Sequence, residues 1–188
     1  MSHRSLKQRY LMLWVEKNIG GRNCVVLCMK KNMFFTIAVA VVLCLGVGFL
    51  TGLATQLSVK TWYTTLEKPF FTPPNWLFAP VWTLLYVMMG VAAGWIWHRG
   101  LQNKKVKTAL YFFGLQLLFN GLWSMVFFGL RNPILGMLVI VILLFLILKT
   151  VQKFRRVDRL AALLLYPYLL WVGYASLLNG GIVVLNFV

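Results

Sequence analysis

Residues Trp62 to Gly90 read WYTTLEKPFFTPPNWLFAPVWTLLYVMMG. The stretch opens as a polar, proline-studded connector and closes as a nearly uninterrupted apolar run, so a boundary between water and hydrocarbon falls inside it. Pro69, Pro73, Pro74 and Pro80, with Trp62, Trp76 and Trp82, all lie in its first 21 residues. Each proline fixes φ and removes a backbone donor that would otherwise need a partner near lipid. Trp62, Tyr63 and Trp76 carry the amphipathic rings that gather at the headgroup level. Two readings follow for the connector. It is a plain aromatic belt, or it is a lid formed by Trp62, Tyr63, Pro69, Pro73, Pro74 and Trp76 over a pocket whose wall starts at Pro80 and Trp82.

The rest of the chain matches the apolar end of this stretch. Hydrophobic residues make up 61% of the 188 and the mean hydropathy is +0.79, against about half apolar in soluble domains. An integral membrane protein is therefore expected. Crossing about 30 Å of hydrocarbon takes roughly 20 apolar residues, and five segments qualify: 34–57, 77–97, 108–130, 134–151 and 160–187. None alternates with the period of a barrel strand, and helices satisfy their backbone groups internally. The expected fold is an all-α bundle of five transmembrane helices within residues 33–188.

Nineteen Lys and Arg stand against three acidic residues, Glu16, Glu67 and Asp158, for a formal charge of +16. A nucleic-acid module gathers its basic residues on a folded soluble body. Here they lie in short tracts between apolar runs, where they meet anionic headgroups and set topology, so membrane lipid rather than nucleic acid is the expected partner. Lys30 and Lys31 precede the first span. Arg99, Lys104, Lys105 and Lys107 join the second to the third, and Lys149, Lys153, Arg155, Arg156 and Arg159 surround the connection between the fourth and fifth. The opposite ends carry only Lys60, Lys68 and Arg131. The positive-inside rule then puts the N-terminus in the cytoplasm and the C-terminus outside, and the basic short loops suit a bacterial inner membrane. Residues 1–32 form a basic extension, read as a disordered tail or an upstream start, and no function is assigned to them.

No ionisable side chain sits in the middle of a span, which argues against proton-coupled transport, and there is no carboxylate pair for acid–base catalysis. Cys24 and Cys28 have no histidine near them, and Cys44 reads as a small core residue. His98 ends the second span as an interface residue, with axial haem ligation as its other reading. Neither a metal site nor a cofactor is expected.

The spans do hold amides and aromatics at helical spacing. Gln116, Asn120, Trp123, Ser124 and Phe127 share one face of the third span; Trp82, Tyr86, Met89 and Ala93 share one on the second; Tyr168, Trp171, Ala175 and Asn179 share one on the fifth. Such stripes glue helices together in lipid, as do small-residue pairs such as Gly48 with Gly52 and Gly90 with Gly94. Alternatively they wall an aromatic cavity for a large apolar ligand. Periodicity leaves both readings open. Pro167 removes one helical hydrogen bond early in the fifth span and permits a bend there.

Together with QLLFNGLWSMVFFGLRNP and LLLYPYLLWVGYASLLNGGIVVLN, the opening stretch resembles the signatures of the translocator protein family, the TspO or tryptophan-rich sensory proteins that include the peripheral benzodiazepine receptor. The resemblance runs from about Met33 to Val188. It implies a homodimeric five-helix receptor or translocator that binds porphyrins or other tetrapyrroles, with a sensory or regulatory role, and in animal members cholesterol and benzodiazepine-type drugs. The implied pocket lies under the loop joining the first two spans, here residues 58–76, and the matching pocket positions are Trp82, Asn120, Trp171 and Ala175. Joined to the stripes, these give an expected ligand-binding set of Trp82, Tyr86, Gln116, Asn120, Trp123, Tyr168, Trp171, Ala175 and Asn179. Trp82 and Trp171 would stack on the macrocycle, Asn120 and Asn179 would hydrogen-bond it, and Lys60 or Lys68 would meet its propionates. Some family members degrade protoporphyrin in the light, and an enzyme of that kind would use Trp82 and Trp171. A structural or partner-binding bundle is the third functional class. The sterol motif of animal members is missing from the last helix, because no Lys or Arg follows Arg159, and the match around Tyr63, between Leu57 and Lys68, is loose.

Overall fold

The computed structural model describes residues 21–187. The expected extension falls partly outside them: residues 1–20 are not described, and the first helix already begins at Gly21. That helix, α1 (Gly21–Lys60), leads into a single turn, α2 (Trp62–Thr65), and a 3-10 turn at Asn75–Leu77 precedes α3 (Phe78–His98). Next come α4 (Lys104–Ser124), a π-helical turn at Met125–Gly129, α5 (Pro133–Arg155), the short α6 (Arg159–Leu163) and α7 (Tyr166–Phe187). Among the described residues five segments are long and apolar enough to cross a membrane: Met33–Leu53, Asn75–His98, Lys104–Gly129, Pro133–Arg155 and Arg159–Phe187. The expected five-span, all-α bundle is therefore the observed fold, and the protein is an integral, multi-pass membrane protein.

Polar side chains set the helix ends. Asn103 accepts from the Lys105 amide (2.9 Å) at the start of α4, and Asn132 accepts from Leu135 (3.0 Å) with Pro133 in the first turn of α5. Asp158 accepts from Leu160 (2.9 Å) and Ala161 (3.2 Å) to open α6. Each satisfies amides that a helix leaves unpaired at its N-terminus. Arg99 pairs with the same Asp158 carboxylate, tying the end of α3 to the start of α6. The fifth span is not one continuous helix. Pro167 has no N–H to offer the carbonyl four residues back, and the chain turns at Leu164 and Leu165 between α6 and α7.

The core lies among α3, α4, α5 and α7. Ile140, Leu143, Ile147 and Phe154 of α5 are fully buried, and Phe154 stacks on Phe113 of α4 with ring centroids 5.8 Å apart. The first span is peripheral: 11% of it is buried, against 39–44% of the others. It meets α3 where side chains are missing. A Cβ on Gly90 would strike the Val41 backbone, one on Gly94 the Ile37 backbone, and one on Gly48 the Tyr86 ring. The small-residue spacing of Gly90 and Gly94 is thus a close helix contact. Gly52 differs, since a Cβ there would have no neighbour within 4 Å.

Candidate functional site

A recess lies on each side of α3. The one facing α1 is a cavity of about 490 Å³, within the roughly 300–1,000 Å³ usual for small-molecule sites. Phe78, Ala79, Trp82, Thr83 and Tyr86 line it from α3, a set spaced along one helical face. Opposite stand Leu45, Gly48, Phe49, Thr51, Gly52, Leu53, Thr55, Gln56 and Val59 of α1. Asn120, Trp123, Ser124 and Phe128 close it from α4 and the π-helical turn, and Tyr63 and Asn75 from the connector. Phe49, Leu53, Ala79 and Thr83 line the cavity and are also exposed on the outside of the bundle. Its mouth therefore opens sideways between α1 and α3, inside the apolar belt.

The wall is aromatic. Trp82 lies with ring centroids 5.7 Å from Tyr86 and 6.3 Å from Trp123, the latter pair tilted by 31°, and Trp123 stacks on Phe127 at 5.6 Å. Behind these rings runs a chain of buried polar groups. Tyr86 donates to Asn120 Oδ1 (2.5 Å), Asn120 Nδ2 donates to the Tyr168 hydroxyl (3.2 Å), and that hydroxyl donates to Gln116 Oε1 (2.7 Å). Gln116 Nε2 ends the chain at the Met89 sulfur (3.9 Å). In a low-dielectric interior each link stiffens the next, so α3, α4 and α7 are locked together beside the cavity. Nearer α1, the hydroxyls of Thr55 and Ser124 share a hydrogen bond (2.8 Å), and Ser58 donates to the Phe128 carbonyl (2.6 Å).

The other recess is a shallow groove between α3 and α7, lined by Pro73, Leu77, Val81, Leu84, Leu85 and Met88 and by Pro167, Leu170, Trp171 and Tyr174. Trp171 belongs here. Phe78 lies between it and the cavity, packing edge-on against the indole at 6.2 Å while its own side chain lines the cavity. The nine expected ligand-binding residues therefore fall into three groups. Trp82, Tyr86, Asn120 and Trp123 meet in the cavity. Gln116 and Tyr168 stand behind its wall in the polar chain. Trp171, Ala175 and Asn179 do not line it: Trp171 faces the groove, and Ala175 is buried in the core. Asn179 donates to the Pro133 carbonyl (3.0 Å) and accepts from the Met137 amide (3.1 Å), in the amide orientation that satisfies both, and so serves the start of α5.

The lid residues also divide. Tyr63 reaches the cavity, and Trp62 packs edge-on against Phe127 at 5.9 Å. Pro69 fills the space left by Gly181, Pro73 lines the groove, Pro74 precedes the 3-10 turn, and Trp76 is 72% exposed. Residues not foreseen from the sequence hold the connector down. Asn186 pairs with both the amide and the carbonyl of Glu67 (3.0 and 2.9 Å), and Tyr174 donates to the Phe71 carbonyl (2.6 Å). The Lys68 ammonium sits 4.9 Å from the Tyr63 ring centroid. Also unforeseen was the contribution of α1, although Gly48, Gly52, Thr51 and Thr55 repeat at a spacing of four and mark one face. No cluster of potential metal ligands occurs among the described residues.

The sequence profile of the TspO/MBR family matches residues 40–185. The chain is 44% identical over 156 residues to the tryptophan-rich protein TspO of Chlorobaculum tepidum, which covers 83% of this chain and 99% of that protein. It is 45% identical over 142 residues to the protein of the same name from Archaeoglobus fulgidus, covering 76% and 91%. With the translocator protein of Bos taurus it shares 36% identity over 135 residues, covering 70% and 79%.

Proposed function

The chain belongs to the TspO/MBR family, and from that premise we propose that it is a membrane receptor or translocator-like protein that takes a porphyrin or related tetrapyrrole into the cavity between α1, α3 and α4. The observation that carries this reading is the aromatic wall of Trp82, Tyr86 and Trp123 around a space of about 490 Å³. A flat apolar macrocycle gains both burial and offset stacking against such rings. Asn120 keeps one amide hydrogen and one lone pair beyond its bonds to Tyr86 and Tyr168, so it can still mark a polar edge of the ligand. Lys68, whose ammonium lies beside the Tyr63 ring, would meet an anionic substituent of the ligand. A sideways mouth suits a ligand dissolved in the bilayer.

In this proposal the protein works as a homodimer in a bacterial inner membrane, with a sensory or regulatory output. Its N-terminus is cytoplasmic, because Arg99, Lys104, Lys105, Lys153, Arg155, Arg156 and Arg159 cluster at the helix ends joined by the Arg99–Asp158 pair. The test is quenching of tryptophan fluorescence by protoporphyrin in detergent. Saturable quenching is expected in the native protein and a marked loss of affinity in Trp82→Phe and Gly52→Leu. Unchanged affinity in both variants would remove the cavity as the site.

Light-driven breakdown of the bound porphyrin is the second reading, favoured by the close pair of oxidisable indoles, Trp82 and Trp123, on one wall. Trp171 is not part of that pair. Illuminating the complex decides the matter: a porphyrin band that fades no faster than in protein-free detergent rules the enzyme out.

A further inference from the structure

At one end of the bundle α3 gives way to α4 and α5 to α6, and across Arg99 to Lys107 and Lys149 to Arg159 this end carries a single carboxylate, Asp158. Arg99 already pairs with it, and no other ion pair occurs among the described residues. Two of the remaining cations are held against aromatic rings. The Lys149 ammonium lies 5.0 Å from the centroid of Phe145, one turn back along α5, and the Lys153 ammonium lies 5.7 Å from that of Phe112 on α4. The second contact crosses between helices and so puts Lys153 at the seam of α4 and α5. The first directs Lys149 inward, as helical side chains lean toward the N-terminus, from a backbone position six residues, about 9 Å, before the end of α5. A cation at that depth calls for an opposite charge or several acceptors, and an aromatic face meets the need in part. Glu67, the other acid among the described residues, belongs to the connector at the far end of α3. Beneath the lysines the same face of α5 continues as Phe145, Ile142 and Leu138, all exposed.

We propose that the seam of α4 and α5 is a binding site for one anionic diacyl phospholipid, whose phosphate meets Lys153 and whose acyl ester oxygens meet Lys149 below it. The two lysines stand one helical turn apart on one face, about 6 Å along the axis. The phosphate and ester groups of a single lipid are stacked along the membrane normal in the same order. One acyl chain then runs down α5 over Phe145, Ile142 and Leu138. The headgroup is anionic rather than zwitterionic because a choline would bring its own cation to an end of the bundle whose one carboxylate Arg99 occupies. No residue of α5 lines the cavity, so this site is independent of the cavity and of its ligand.

Native mass spectrometry of the protein in a neutral detergent, titrated with dioleoylphosphatidylglycerol or dioleoylphosphatidylcholine, reads bound lipid directly. The native protein is expected to take up one phosphatidylglycerol about tenfold more tightly than phosphatidylcholine. Lys149→Gln with Lys153→Gln should bring the two lipids to within about twofold of each other, as loss of both charges implies. Lys149→Arg with Lys153→Arg keeps the charge and should keep the preference, and it shows that replacing these two half-buried side chains does not itself abolish binding. Lys104→Gln with Lys107→Gln removes the same charge from the same end, at exposed positions off the helix face that Phe112 occupies. That pair should leave the preference nearly intact. Glycerol 3-phosphate, a phosphate without chains, should fail to displace the bound lipid. Equal binding of the two lipids by the native protein overturns the site. So does an equal loss in the Lys104 and Lys107 pair, which would mean a diffuse surface charge, or displacement by glycerol 3-phosphate, which would mean a site for free anions.

Discussion

The two recesses beside α3 are built from the same kinds of residue and differ in what they can do. Each holds a tryptophan and apolar side chains from α3. The cavity on the α1 side also has Asn120, Ser124, Thr51, Thr55 and Gln56 in its wall, with a polar chain running back through Tyr168 to Gln116. Apart from the aromatic side chains of Trp171 and Tyr174, the groove on the α7 side is wholly aliphatic or proline. An apolar groove on a membrane helix needs no explanation beyond lipid contact. Buried amides beside an open volume do, because orienting groups inside an apolar site are what give a ligand specificity. The side of α3 on which a residue falls, more than its type, thus separates a candidate binding residue from a packing one.

The largest expected effect comes from taking one wall away. Gly90→Leu drives a side chain into the Val41 backbone, an overpacking that costs about 1–3 kcal/mol or more. It should lower the melting temperature in detergent and abolish porphyrin quenching together, because α1 lines the cavity and not the groove. Retained binding in a folded Gly90→Leu protein would move the ligand to the groove and reverse the comparison.

Next in size is the plug. At Gly52 a Cβ meets nothing within 4 Å, and the residue lines the cavity. Gly52→Leu should therefore leave stability unchanged or raise it by roughly 0.5–1 kcal/mol, the helix preference over glycine. It should weaken the ligand by roughly a hundredfold, the equivalent of a few kcal/mol of lost fit. Val81→Trp, which fills the groove instead, should leave affinity alone. A thermal melt and a quenching titration on each variant give the two readings separately.

These two glycines also show what the sequence made legible. Three features of the fold were plain: the five spans, the bend at Pro167 and the Gly90–Gly94 contact, each of which depends on local composition or spacing. The site was only half legible. The stripe argument finds which residues share a helix face, but not which neighbour that face meets, so Trp82 and Trp171 looked equivalent although Phe78 stands between Trp171 and the cavity. On the first span the signal is a face of small and hydroxyl residues, Gly48, Thr51, Gly52 and Thr55, which a search for amides and aromatics passes over. Past Ser124, the π-helical turn breaks the 3.6-residue spacing, burying Phe127 and Phe128 side by side with ring centroids 4.8 Å apart.

Asn120 and Asn179 sharpen the comparison further, since both are 1–2% exposed amides that the stripes treated alike. Asn120→Leu takes the acceptor from the Tyr86 hydroxyl and leaves Tyr168 with Gln116 alone, while Asn179→Leu removes a side chain that bonds the Pro133 carbonyl and the Met137 amide at the start of α5. Asn120→Leu should cost about 1–3 kcal/mol of stability, as a buried polar group left unpaired does; Asn179→Leu should cost less, because an amide and a carbonyl four residues apart in a helix also pair with each other. Only Asn120→Leu should also weaken porphyrin binding. Equal losses of affinity in the two variants would mean that they act through stability alone, and the polar chain would then be helix glue.

The smallest expected effect is the most direct contrast between the recesses. Trp82→Phe keeps a ring on the cavity wall but shortens the stacked surface, which should weaken the ligand by several-fold, in line with about 0.5–1.5 kcal/mol for an aromatic pair. Trp171→Phe alters a side chain on the far side of Phe78 and should leave affinity within experimental scatter. Both variants remove one fluorophore, so calorimetry is the better measurement. If Trp171→Phe weakens binding as much as Trp82→Phe, then Phe78 does not stay between the two indoles when ligand binds. The cavity and the groove would in that case be two halves of one site that joins by rotation of a single side chain.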